Sequence, residues 1–157
     1  MYQIIIQHEA DKKLTPSRLL LREWAIKTLS TQLPSAQVTL RLVKRDEMAE
    51  LNEAYRRKSG PTNVLSFPFS LPREIQTELP MLGDIVICPE VVNEEALQQN
   101  KSLKAHFAHM VVHGIFHLLG YDHETDREAT IMETLEKKVM HSLGFPNPYL
   151  QSKDNHL

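Results

Sequence analysis

The sequence predicts a single α/β (α+β) domain over residues 1–157, with helices packed on a mixed sheet of about four strands and a metal site on a central helix. Three observations carry this. Short β-branched or alternating apolar runs are interspersed with helical apolar stripes along all 157 residues, the pattern of a layered mixed fold. The length is that of one domain able to bury a core without disulfides, and the chain has no internal repeat, linker or low-complexity stretch. His113 and His117 stand four apart within a predicted helix, so both imidazoles leave one face.

Tyr2–Gln7 reads as the first strand. Thr15 then caps a helix with Pro16 in its first position, running to about Gln32, with Leu19, Leu20, Trp24, Ala25 and Leu29 as its inward stripe. Pro34-Ser35 breaks it. Gln37–Val43 alternates apolar and polar residues as a half-buried strand does. Asp46 caps a helix to about Arg57, with Met48, Leu51 and Tyr55 inward. Thr62–Phe67 is a strand closed by Pro68, and residues 69–80, with two prolines and no period, are a loop.

Gly83–Cys88 is a compact apolar strand, and Cys88 reads as a small buried hydrophobe. Pro89-Glu90 opens a helix to about Asn100. The metal helix spans about Leu103 to Leu119, with Leu103, Phe107, Met110 and Val111 as its core face. Thr125–Glu128 is a capping box for the last helix, which ends at Leu143-Gly144. Glu128, Glu133 and Glu136 on that helix read as a solvated acidic face. The polar tail, 149–157, is expected to be disordered.

Composition narrows the function classes. The net charge is −2, so no overall cationic field draws in nucleic acid. Residues 1–58, however, carry 11 Lys/Arg against 7 Asp/Glu, a net of +4. Arg41, Lys44, Arg45, Arg56, Arg57 and Lys58 cluster there, as a local basic face or as ordinary solvated charge. The lone Cys88 points to a reducing compartment, and no stretch is long enough to span a membrane. Met1–Gln7 lacks the basic segment of a signal peptide. The expected location is the cytoplasm.

The chemistry concentrates in His113-Gly-Ile-Phe-His117-Leu-Leu-Gly120-Tyr-Asp-His123. Gly120 can end the helix in a left-handed conformation and let the chain fold His123 back toward the pair. Three neutral imidazoles with one position left open are the ligand set of a catalytic zinc, one ion per chain. The spacing matches that of zincin peptidases, but Gly114 stands where their general-base glutamate belongs. Asp122, Glu124, Asp84 and Asp126 are the acids expected nearby, Asp122 and Glu124 either capping the turn or assisting the site. His106 and His109 continue the histidine row backward and are assigned orienting or packing roles.

These residues, together with Tyr55-Arg56, Pro61–Pro68 and Leu82–Ile87, resemble the bacterial YbeY family of rRNA maturation factors over about residues 37–148. The resemblance implies a zincin-like fold and a zinc-dependent, single-strand-specific endoribonuclease. It further implies work in 3′-end maturation of small-subunit (16S) rRNA and ribosome quality control, with single-stranded RNA and the ribosome or its proteins as partners; DNA is not expected. It makes His113, His117 and His123 zinc ligands and catalytic residues, and Arg56 a catalytic, substrate-binding arginine. A guanidinium suits that role, since its fixed fork grips two phosphate oxygens. Arg57 and Lys58 are weaker candidates for phosphate contacts. Two other readings stand beside this one: a non-catalytic, zinc-stabilised ribosome-assembly factor, and a metallopeptidase, against which Gly114 argues.

Overall fold

The computed structural model describes residues 1–69 and 79–150. Most of the expected 69–80 loop and the tail from 151 onward therefore lie outside the described residues. Ten elements follow in order: β1 (Tyr2–His8), a single 3-10 turn, α1 (Arg18–Leu29), β2 (Ala36–Leu42), α2 (Arg45–Arg56), β3 (Val64–Pro68), β4 (Met81–Ile87), α3 (Pro89–Gln98), α4 (Leu103–Leu118) and α5 (Asp126–Ser142). The sheet order is β1-β2-β4-β3, with β1, β2 and β4 parallel and β3 antiparallel to β4. This is the mixed four-stranded sheet the sequence predicts.

One face of the sheet carries the main core. Ile4, Val38, Leu40, Leu42, Ile85 and Ile87 alternate inward and meet Leu21, Trp24 and Leu29 of α1 and Phe107, Val111 and Ile115 of α4. The other face holds a smaller cluster, in which Met48 of α2 packs with Val43, Leu65, Val86 and Cys88. Cys88 is buried, as expected. Helix α4 is buried along nearly its whole length, from His106 to Leu118, because it touches the sheet together with α1, α3 and α5. An all-round buried helix makes a rigid support for side chains.

Close backbone approach fixes the edge of the sheet beside α4. Gly83 has φ +140, and a Cβ there would lie 2.2 Å from the Phe67 carbonyl oxygen, so only glycine lets β3 and β4 pair at Pro68.

Three details differ from the sequence reading. The cap of α1 is Ser17, whose Oγ accepts from the Leu20 N–H at 3.2 Å, and not Thr15. Leu19 is 75% exposed while Leu21 is fully buried, so the stripe differs in its first turn; Trp24, Ala25 and Leu29 face inward as expected. On α2, Asp46 lies in the first turn after an uncapped Lys44, and Tyr55 is exposed where Asn52 is buried. Both stripe errors come from counting apolar residues without knowing how narrow the contact with the neighbour is.

Candidate metal centre

The site is built at the C-terminal end of α4. His113 and His117 bring their Nε2 atoms to 3.1 Å. The helix then stops in a Schellman turn: the Gly120 N–H donates to the His117 carbonyl and the Tyr121 N–H to the Phe116 carbonyl, both at 3.0 Å. Gly120 takes φ +101, which a side chain would strain. The reversal returns His123, whose ring centroid lies 5.0 Å from that of His117 and 5.7 Å from that of His113. The Asp122 carboxylate accepts the His123 N–H at 2.7 Å, which is the turn-capping role.

The three histidines offer ligand atoms that all lie within 4.8 Å of one another. Two nitrogens on a tetrahedral zinc at ~2.05 Å are separated by about 3.3 Å, so the 3.1 Å between His113 and His117 suits a shared ion. His123 is exposed and the other two half-buried, which leaves the outer side of the site open to a substrate. Burial, then the neighbouring imidazoles of His113 and His123, push His117 down to about 4. The ring is therefore neutral at physiological pH, the form that binds metal.

A cleft of about 510 Å³ opens over these rings and includes Asn52, Arg56, Lys58, Ser66 and Asp122 on its walls. Arg56 is the last residue of α2, and Arg57 caps that helix in a left-handed conformation at φ 55. The chain turns there, with the Asn52 side chain donating to the Gly60 carbonyl at 2.9 Å. Thus Arg56 and Lys58 share the cleft with the three histidines, whereas Arg57 is not among its lining residues. Asp84 is not either; it lines a separate groove with Arg41, Tyr55 and Phe67, because residues alternate across the sheet.

Gly114 has a structural reason as well as a chemical one. A Cβ at this position would come 2.8 Å from Cγ2 of Ile85, and the Gly114 carbonyl accepts from Ser66 Oγ at 3.0 Å. Helix and sheet are in contact at this point, so the glutamate of a zincin peptidase has no room.

Behind the ligands lies a feature that sequence reasoning missed. Glu136, read as part of a solvated face, is fully buried. Its Oε1 is 2.6 Å from His109 Nε2 and 3.1 Å from His113 Nδ1, and its Oε2 accepts from the Tyr149 hydroxyl at 2.8 Å. Burial works to raise this carboxyl, but the hydrogen bonds from His109 and His113 outweigh it and bring it to about 2. Burial, followed by Glu136, pushes the Tyr149 phenol up. Burial lowers His109. His106 pairs instead with Glu95 at 2.9 Å. A signal for Glu136 was present: Met132, Glu136, Val139 and Met140 share the buried stripe of α5.

A family model described as Endoribonuclease YbeY matches residues 5–144. Among solved structures, the chain is similar to TM1509 from Thermotoga maritima, determined in solution, at 31% identity over 90% of this chain and 87% of that one, with a TM-score of 0.61.

Proposed function

Since the chain belongs to the YbeY endoribonuclease family, we propose that it is a zinc-dependent endoribonuclease that cuts single-stranded RNA in the cleft over His113, His117 and His123. The observation that carries this is the convergence of three imidazoles on one point beside an arginine and a lysine in the same cleft. His113, His117 and His123 would hold the zinc ion, which would supply Lewis acidity for a phosphoryl oxygen and a bound water.

The rest of the chemistry belongs to the chain. Phosphodiester cleavage builds negative charge on non-bridging oxygens, and the Arg56 guanidinium binds two of them through its fork. Lys58 adds a point charge that holds the strand by its backbone. Pro68 and Thr62–Ser66, from the β3 wall, give the cleft a side that a flexible single strand can follow. The substrate we assign is small-subunit rRNA, in 3′-end maturation and in quality control of defective ribosomes, with the ribosome or its proteins as partners in the cytoplasm. No helix among the described residues is long and apolar enough to cross a membrane. The contact between Gly114 and Ile85 speaks against a peptidase.

The test is cleavage of a single-stranded RNA by His123→Ala and Arg56→Ala. Both residues are exposed, so both variants are expected to fold normally by circular dichroism and to lose cleavage. Full cleavage by either folded variant would overturn the reading.

A further inference from the structure

Helix α5 carries a buried carboxylate that the proposed reaction does not use. Glu136 has three polar neighbours: Nε2 of His109 at 2.6 Å and Nδ1 of His113 at 3.1 Å from Oε1, and the Tyr149 hydroxyl, which donates to Oε2. Among the described residues, the buried Nδ1 atom of His109 has no hydrogen-bond partner. An orphaned lone pair costs less than an orphaned N–H, so the one proton of neutral His109 sits on Nε2, facing Glu136. The ring faces of His109 and Tyr149 lie edge to face at 5.2 Å and fix both groups in place. The carboxylate is therefore held from two sides before it meets His113.

A neutral imidazole carries its proton on either nitrogen, and the hydrogen bond made by one nitrogen sets the role of the other. With Glu136 accepting at Nδ1, the lone pair of His113 is left on Nε2, the atom 3.1 Å from His117 Nε2. We propose that Glu136 is a positioning residue that pins the proton of His113 to Nδ1 and aims Nε2 at the metal, with His109 and Tyr149 locking the carboxylate. This rests on the reading of His113, His117 and His123 as zinc ligands. It extends the functional unit to α5 and to the segment after it. His109, His113 and Glu136 also offer ligand atoms that lie close enough together to hold a second ion, which is the competing account of the cluster.

The deciding experiment uses the full chain and two readouts. Long-range proton–nitrogen NMR spectra of the metal-free protein report which ring nitrogen of each histidine carries the proton. The wild type is expected to show His113 protonated at Nδ1, and Glu136→Gln to lose that preference. Titration with zinc against a chromophoric chelator is expected to show one ion per wild-type chain and an affinity about 10–100-fold lower in Glu136→Gln. Tyr149→Phe, which removes one outer hydrogen bond, is expected to weaken zinc by less.

A wild-type His113 protonated at Nε2 would overturn the proposal even if Glu136→Gln failed to fold. So would an unchanged zinc affinity in folded Glu136→Gln. Two zinc ions per wild-type chain, one of them lost in Glu136→Gln, would replace it with a His113-bridged pair. A wild type that binds no zinc but keeps the Nδ1 proton would sink the zinc reading and leave the positioning of His113 intact.

Discussion

Replacing Gly114 by alanine tests whether helix and sheet touch at the metal helix as closely as described. By helix propensity alone the change should stabilise the protein by up to ~1 kcal/mol, because glycine is the poorer residue in a helix interior. The new methyl group would, however, lie 2.8 Å from Ile85 Cγ2, 3.3 Å from Cδ1 and 3.4 Å from Cγ1, inside the ~3.5–4.0 Å optimum for carbon contacts. Ile85 is fully buried and β-branched, so it has little freedom to retreat. Overpacking of this kind costs about 1–3 kcal/mol. The net expectation is a loss of up to about 2 kcal/mol, and each kcal/mol lowers the melting temperature by ~2–4 °C at this size. Urea denaturation of Gly114→Ala, Ile85→Ala and the double variant reads the effect directly. The double variant should be more stable than the two single losses add up to, because removing the isoleucine branch frees the space. A Gly114→Ala protein more stable than wild type by about 1 kcal/mol would show that the glycine is not held by packing. Gly114→Glu, which rebuilds the peptidase motif, should lose more stability and gain no peptide hydrolysis.

Arg56→Lys keeps the charge but not the fork, and is expected to lose about 10²–10³ in RNA cleavage, measured at saturating zinc with folding checked in parallel. Asn52→Ala removes the bond to the Gly60 carbonyl and should cost about 1–2 kcal/mol in denaturant unfolding while lowering cleavage through the turn that follows Arg56. The metal-free protein should weaken in acid in two windows. His117 is depressed to about 4, so as pH falls from about 6.5 to 4 the unfolded chain takes up a proton that the fold refuses, and stability drops. Glu136 stands at about 2, so its contribution, complete above about 4.5, is lost between there and 2. Denaturation of wild type and His117→Gln at pH 7.5 and pH 5 checks the first window, where the variant should respond less.

The three histidines were legible because their geometry is local: a four-residue helical step and a glycine stop need no knowledge of the rest of the fold. The mixed sheet was legible for the same reason, through alternation and β-branching. Arg56 and Lys58 reach the cleft only because α2 and its left-handed turn at Arg57 are brought to the end of α4, and no spacing encodes that; the family resemblance supplied Arg56. Glu136 lies 23 residues from His113, so no local pattern linked them. Charge made it look solvated, although its place in the Met132–Met140 stripe put it inside. Asp84 failed in the opposite way, being near in topology but on the other face of β4.

The most direct test is to purify the chain without a histidine tag, measure its metal by elemental analysis, and assay a single-stranded RNA with and without chelator. The account predicts about one zinc per chain, with cleavage lost on chelation and restored by zinc. A protein that binds no metal, or one that cleaves equally well after its metal is removed, would contradict it.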